Sequence, residues 1–266
     1  MEWDLILVCA AGLAVAGVIK GVTGLGYASC ALPFLVFALG LKTAMATVII
    51  PAMATNVSLA LNGGHVAETW DRFKLLYVSM LPGIAAGVAL LIWIDQALAV
   101  TLLGVIIISY ACIALARPNM TLPQGLERPL QIPAGFLNGV VTGLTGAQVI
   151  PLFPYMMSLN LAPDRMVQAI NFAVMIASTV LAVALLATGI LTPRLLAISC
   201  FAIAPALLGV EFGIRLRRHI APDRFKRIVL ATLMLSGLLM LLRPAMARAP
   251  NLASEAPMSM HVNSDR

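Results

Sequence analysis

The chain has 266 residues, of which 61% are hydrophobic and only 11% are charged. A soluble domain carries roughly 25% charged residues because its surface must be hydrated, so the composition excludes an ordinary soluble domain and predicts a surface that faces lipid. The net charge of +6 does not indicate nucleic-acid binding. The excess Lys and Arg lie at the ends of apolar segments, where such residues set membrane topology and contact anionic lipid head groups.

The apolar segments predict an all-α polytopic membrane protein. Each is a continuous run, whereas the strands of a membrane barrel alternate in polarity. The first run is expected to be a mature helix rather than a cleaved signal peptide, because it begins with Glu2 and Asp4 instead of basic residues. The segments fall at 5–19, 25–39, 43–62, 73–94, 96–116, 131–142, 146–160, 165–189, 194–214 and 227–243.

A polar, Pro-rich connector at 117–130 divides the chain into two transmembrane repeats, 1–116 and 131–243. The tail, 244–266, is expected to be disordered because it is rich in Pro, Ser, Asn and charged residues. The two repeats carry similar features in the same order, which predicts an internal duplication. The matched features are Lys20-Gly21 with Asn138-Gly139, Gly40-Leu41 with Asn160-Leu161, Asn62-Gly63 with Thr188-Gly189, Pro82 and Gly87 with Pro205 and Gly209, and Arg117-Pro118 with Arg243-Pro244.

The distribution of basic residues predicts that the two repeats are inverted. Loop 215–228 is strongly basic and is expected to be cytoplasmic, whereas the matching loop around Asp95 has no basic residue and is expected outside. Each repeat then has about three full spans after a leading Gly-broken helical pair, 5–39 or 131–160. Such a pair enters and leaves the membrane on one side, either as a re-entrant hairpin or as two short spans.

Two Gly-rich interruptions are the main candidates for a substrate site. Unsatisfied backbone groups are costly in hydrocarbon, so broken helices at membrane depth line cavities, and paired breaks in inverted repeats indicate a transporter site. Helix N-termini that follow the breaks would attract an anion. Close helix packing is the alternative role for these glycines. The interruptions are Thr23, Gly24, Leu25 and Gly26, and then Thr142, Gly143, Leu144, Thr145 and Gly146.

Polar residues within the apolar segments form a second set of candidates. Polar groups at membrane depth face cavities or partner helices, and the alternative is a simple hydrogen bond between helices. Asn56, Gln148 and Asn171 are expected around the two breaks. Lys20 precedes the first break and Asn138 the second. The lysine either extends to the membrane surface or provides a positive charge for an anion.

The two repeats, each opening with a Gly-rich segment followed by a proline and an apolar run, resemble the TauE/SafE sulfite exporter family, also called TSUP, and the second repeat does so best. Its Gly135-Phe136-Leu137-Asn138-Gly139 runs into Thr142–Gly146 and then Pro151, and the similarity extends over residues 10–243. The first repeat has Gly24-Leu25-Gly26 where the family often has three or four consecutive glycines. The resemblance implies a multi-pass protein of the bacterial cytoplasmic (inner) membrane that exports or takes up sulfite, sulfonates or related organosulfur acids.

The leading functional hypothesis is therefore a secondary transporter of a small anion with a site between the repeats. No nucleotide-binding loop is present, so ATP is not expected to drive transport. Coupling to a proton or sodium gradient remains open, as does uniport. An enzyme is not expected, because no catalytic His/Asp cluster or HExxH motif occurs. No cofactor or metal is expected either. An anion channel and a non-transporting membrane scaffold are the alternatives.

Overall fold

The computed structural model describes residues 2–24, 26–61, 66–116, 121–216, 227 and 229–242. All regular elements in these ranges are helices, which confirms the predicted all-helical architecture. The helices are α1 (Glu2–Thr23), α2 (Tyr27–Leu39), α3 (Leu41–Leu61), α4 (Val66–Trp93), α5 (Gln96–Ala116), a 3-10 turn (Gln124–Leu126), α6 (Glu127–Thr145), α7 (Leu152–Met157), α8 (Pro163–Ala187), α9 (Pro193–Phe201), α10 (Ile203–Leu216) and α11 (Val229–Leu242).

Within the described residues, four helical segments are long and apolar enough to cross a membrane. They are α4, α5, α8 and the consecutive pair α9–α10. Large apolar side chains project outward from them, with Trp93 87% exposed and Phe201 81% exposed. Such exposure is unfavourable in water and ordinary in lipid. Together with the shorter apolar helices, these segments fit a multi-pass membrane protein.

The leading pair of each half folds back on itself. α2 has 13 residues, or about 20 Å at 1.5 Å per residue, which is less than the hydrocarbon core of about 30 Å. It returns along α1, because a Cβ atom at Gly12 would lie 3.4 Å from the side chain of Leu35. In the second half, the hydroxyl of Tyr155 in α7 donates to the Glu127 carbonyl at the start of α6 (2.9 Å).

The first helix of each half packs on a helix of the other half through glycines. In the α4–α6 interface, a Cβ atom at Gly87 would lie 2.2 Å from the Val140 carbonyl oxygen. In the α1–α10 interface, a Cβ atom at Gly21 would lie 2.2 Å from the Val210 carbonyl oxygen. Only glycine allows backbones to approach this closely. The facing glycines are Gly83, Gly87, Gly139 and Gly143 in one interface and Gly17, Gly21, Gly209 and Gly213 in the other.

Helices α1 and α6 end in the same way. The N–H of Gly24 donates to the Lys20 carbonyl (2.6 Å), and the N–H of Gly146 donates to the Thr142 carbonyl (2.8 Å). Both glycines are left-handed, with φ of 78° and 74°. By this geometry Lys20 corresponds to Thr142, one helical turn beyond the Asn138 that the sequence pattern had matched with it.

The boundaries around the second break differ from the sequence expectation. α6 continues through Thr145 instead of ending at 142, since the glycine at 143 is accommodated inside the α4–α6 interface. Residues 146–151 are then non-helical. α6 also begins at Glu127, inside the expected connector. Residues 117–120, most of loop 215–228 and the tail 244–266 lie outside the described residues.

Ion pairs bring three helix starts together at one end of the molecule. Arg72 near the start of α4 pairs with Glu127 at the start of α6, with Nε and Oε1 2.7 Å apart. Glu68, in the first turn of α4, pairs with Arg165 at the start of α8. These contacts fix the relative directions of α4, α6 and α8.

Candidate functional site

The first glycine break forms one wall of a small cavity. α1 ends at Thr23, and α2 begins at Tyr27 after Gly26, whose left-handed φ of 82° turns the chain back. The cavity has a volume of about 20 Å³, enough for roughly one water molecule. The residues around it that carry polar groups are Gly26, Tyr27, Ser29, Asn56, Gln148 and Asn171.

The N-terminus of α2 faces this cavity. The first N–H groups of a helix have no acceptor within the helix, and no side chain caps α2. The first acceptor inside the helix is Gly26, whose carbonyl takes the N–H of Cys30 (3.0 Å). The N-cap residue Gly26 and the first-turn residues Tyr27, Ala28 and Ser29 all line the cavity, so the positive end of the helix dipole lies beside it.

Three side-chain amides from different parts of the chain, those of Asn56, Gln148 and Asn171, line the same cavity. Asn171 of α8 donates to the Gly24 carbonyl (3.2 Å) and to its own helix at Val167 (2.8 Å). Gln148, which follows the second break, donates to Ser178 (3.1 Å). Its Oε1 atom is buried and has no hydrogen-bond partner in the described part of the chain. The sequence had singled out these amides from positions far apart in the chain.

Lys20 is connected to the cavity through Asn56, one of its lining residues. It is only 1% exposed, so the alternative that it extends to the membrane surface is wrong. Its Nζ atom donates to Oδ1 of Asn56, whose own Nδ2 donates to the Ala52 carbonyl (2.6 Å). No carboxylate forms an ion pair with Lys20 among the residues that the structure describes. Asn56 therefore joins a buried basic group to the cavity.

The sequence predicted equivalent helix N-termini after the two breaks, but the second break differs from the first. The helix that follows it, α7, has only six residues, and the N–H of Phe153 in its first turn is already bonded to the Val149 carbonyl (2.9 Å). The irregular segment 146–151 contributes Gln148 and Val149 to the cavity instead. A single helix N-terminus, that of α2, faces the cavity within the described ranges.

The family model described as Sulfite exporter TauE/SafE matches residues 8–240. The chain belongs to the TauE/SafE family. This confirms the resemblance inferred from the sequence, and with it the assignment to membrane transport, since the family is one of transporters and not of enzymes. Comparison with curated proteins and with solved structures finds no significant match.

Several candidates in this TauE/SafE protein have local partners instead of facing the cavity. Thr145 donates to the Val141 carbonyl (2.7 Å) and accepts from the N–H of Ala147 (3.2 Å). Thr142 donates weakly to the Ala147 carbonyl (3.4 Å). These hydroxyls hold the second break in shape. Thr23 similarly donates to the Ile19 carbonyl (2.8 Å).

The remaining candidates lie elsewhere. Gly143 packs against α4, where a Cβ atom would lie 2.4 Å from the Ile84 carbonyl oxygen, so its role is the close packing that was the alternative. Leu144 is buried beside it. Asn138 is fully buried, and neither of its side-chain polar atoms has a partner in the described ranges. Leu25 lies outside the described residues.

Tyr27 is a site residue that the sequence interpretation missed. It is 2% exposed and lines the cavity, and its hydroxyl has no hydrogen-bond partner among the described residues. A tyrosine inside an apolar run carries no periodic signal of its own. Its position immediately after Gly26, at the first turn of the helix that follows the break, was the available indication.

Proposed function

We propose that this TauE/SafE family member is a secondary transporter that moves a small anion, such as sulfite or a sulfonate, through a site at the cavity between Gly26, Asn56, Gln148 and Asn171. The observation that carries the proposal is the combination of the uncapped α2 N-terminus with the buried Lys20–Asn56 pair at one cavity. Both features favour negative charge, and they come from different parts of the chain.

The electrostatics at this cavity support an anion over a neutral solute. A helix N-terminus carries about half an elementary positive charge, and its effect is large where water does not screen it. Lys20 is buried with an amide oxygen as its acceptor and no described carboxylate nearby. A buried basic group is stabilised by a negative partner, which a bound anion provides.

Direct donors for oxyanion oxygens are also present. Gly26 and the first-turn residues of α2, Tyr27, Ala28 and Ser29, line the cavity, and the Tyr27 hydroxyl has no hydrogen-bond partner among the described residues. Gln148 and Asn171 each have their amide nitrogen bonded to protein atoms, so their contribution in this conformation is to position the neighbouring backbone. The unpaired Oε1 of Gln148 suits a protonated oxyanion such as bisulfite, which donates one hydrogen bond.

The proposal includes two inverted repeats. Its support comes from helix directions: α3 ends at Leu61, shortly before α4 begins at Val66, whereas α8 begins beside the start of α4 through the Glu68–Arg165 ion pair. Matched helices α3 and α8 therefore run in opposite directions. The reciprocal glycine interfaces, α1 on α10 and α6 on α4, support the same arrangement.

Uptake of radiolabelled sulfite into proteoliposomes that contain the purified full chain tests the function. We expect saturable uptake that unlabelled methanesulfonate inhibits. Imposed proton or sodium gradients, applied one at a time, identify the coupling ion. Flux that rises linearly without saturation would indicate the channel alternative, and no flux above that of empty liposomes would leave a non-transporting scaffold.

A further inference from the structure

Within the described residues, one buried side chain carries a charge, that of Lys20. The other buried polar residues there are alcohols and amides. Lys20 lies in the last turn of α1 and is 1% exposed, and its Nζ atom donates to the neutral Oδ1 of Asn56. Burial of a charge without an opposite charge is costly, so the charged form of Lys20 requires an additional negative partner.

The helices around Lys20 carry no carboxylate that pairs with it in the described part of the chain. Helices α2 and α10 pack on α1, α3 bonds to Lys20 through Asn56, and α11 shares a cavity wall with α1. Glu211 of α10 is exposed and pairs with Arg215 instead. Asp4, at the other end of α1, is about 24 Å away along the helix. The remaining titratable residues of these five helices are Glu2, Cys9, Tyr27, Cys30, Lys42 and Arg227.

The charge of Lys20 is therefore coupled to whether an anion is bound. With the site empty, loss of a proton removes the cost of an unpaired ammonium. The neutral amine still has N–H groups, so its hydrogen bond to Asn56 persists. A bound anion supplies the opposite charge and favours the ammonium. Anion binding and protonation of Lys20 then strengthen each other, and this coupling is reciprocal.

We propose that Lys20 carries the proton that couples transport to a proton gradient, so that one proton crosses the membrane with each anion. This inference rests on the proposed function and leaves the identity of the anion open. As the anion binds, the lone pair of Nζ takes one proton from water. As the anion leaves on the other side, Nζ returns that proton to water. The empty protein then changes conformation without an unpaired buried charge, which is the costly species at membrane depth.

The coupling makes the expected dependence on pH quantitative. Where Lys20 is neutral in the empty protein and charged in the complex, one proton is taken up per anion, and the dissociation constant rises about tenfold per pH unit. Binding is therefore strongest in acid, where Lys20 is charged before the anion arrives, and weakens as the pH rises. A lysine that serves only as a fixed charge produces neither proton uptake nor this slope.

Calorimetry on the full chain in lipid nanodiscs counts the protons. Methanesulfonate is the probe, because a sulfonate stays ionised at neutral and alkaline pH, and the protons taken up therefore belong to the protein. Titrations at one pH in two buffers with different ionisation enthalpies give the number of protons per anion. We expect this number to approach about one as the pH rises. If methanesulfonate does not bind, sulfite is used in its place, with its own protonation subtracted.

Two variants assign the proton to Lys20. Asn56→Asp keeps the size of the side chain and places a permanent carboxylate at the atom that accepts from Lys20. Lys20 then stays charged in the empty site, so we expect weaker anion binding and no proton uptake. Lys20→Met removes the group that takes the proton and should also abolish the uptake. Lys42→Met, in the first turn of α3, is the control and should retain the uptake of the original protein.

The outcomes separate this inference from the function on which it rests. Anion binding by the original protein without proton uptake at any pH would overturn the inference and leave transport by uniport or sodium coupling. Proton uptake that persists in Lys20→Met would also overturn it, because another group would carry the proton. If neither methanesulfonate nor sulfite binds, the proposed function itself is contradicted.

Discussion

Lys20 and Asn56 form a buried hydrogen bond that joins the last turn of α1 to the second half of α3. Lys20 is 1% exposed and Asn56 is 2% exposed. Asn56 also lines the small cavity at Gly26, so the pair connects a basic group in one helix to the surface where the anion is proposed to bind.

Replacement of Lys20 by methionine should weaken anion binding and leave the fold intact, because methionine retains the length and apolar stem of lysine. Loss of an interaction with a charged group costs about 1.5–3 kcal/mol, which corresponds to a tenfold or greater increase in the sulfite dissociation constant. The measurement is calorimetry on Lys20→Met. Lys42→Met, on α3 and more accessible to solvent, is the control. Equal affinity in both variants would remove Lys20 from the site.

The α4–α6 interface predicts a strong dependence on glycine. Gly87→Ala should lower the melting temperature, because its Cβ would lie 2.2 Å from the Val140 carbonyl oxygen, and overpacking costs typically about 1–3 kcal/mol. The matched variant is Gly125→Ala, where nothing lies within 4 Å of the added atom. If the two variants melt at the same temperature, the close approach of α4 and α6 is not present in solution.

The buried side chain of Asn138 is expected to lower the stability of the folded protein. Both its side-chain polar atoms are buried without partners in the described structure, and an unsatisfied buried group costs about 1–3 kcal/mol. Asn138→Leu, which keeps the branching and the number of side-chain heavy atoms, should therefore raise the melting temperature. Ser199→Ala is the comparison, because Ser199 is equally buried but donates to the Thr47 carbonyl (2.8 Å), and its loss should lower the melting temperature. A lower melting temperature for Asn138→Leu would show that Asn138 has a polar partner.

The inverted arrangement places the loop around Asp95 outside, and places both the start of α8 and loop 215–228, the match of the Asp95 loop, inside. In a background without native cysteines, Asp95→Cys should react with an impermeant maleimide added to intact cells, and Asp164→Cys at the start of α8 should not. Arg218→Cys, in the basic loop outside the described residues, should also be protected until the cells are lysed. Both Asp95 and Asp164 are exposed, so the difference reports sidedness rather than burial. The reverse pattern would contradict the predicted orientation.

The positions of the helices were predictable from the sequence, because continuous apolar runs and the charged loops between them determine spans directly. The expected runs 43–62 and 96–116 correspond to α3 and α5, whereas α4, expected at 73–94, begins earlier at Val66. The second break was less predictable. Gly143 looks like part of a helix interruption, yet α6 continues to Thr145 because Gly143 packs against the backbone of α4. Whether a glycine interrupts a helix or permits helix packing depends on a partner distant in sequence.

The candidate site was predicted in part. Asn56, Gln148 and Asn171 were chosen because polar groups at membrane depth are costly, and they line one cavity. Tyr27 was missed because its ring is compatible with an apolar run. The short α7 could not be anticipated, since residues 146–160 are apolar enough for a longer helix. The irregular stretch is held by local hydrogen bonds of Thr142 and Thr145 with Ala147 and by the contact of Gln148 with Ser178 in α8.

The most direct test of the central claim compares two isosteric ligands that differ in charge. Methanesulfonate and methanesulfonamide are titrated into the purified full chain in nanodiscs, with tetramethylammonium as a cationic comparison. A site built from the α2 N-terminus and Lys20 favours negative charge. We expect methanesulfonate to bind and to displace sulfite. Methanesulfonamide and tetramethylammonium are expected to do neither at the same concentration. Lys20→Met is expected to reduce the difference in affinity between the anionic and the neutral ligand. Equal binding of the neutral sulfonamide would show that the cavity recognises shape rather than charge and would contradict the account.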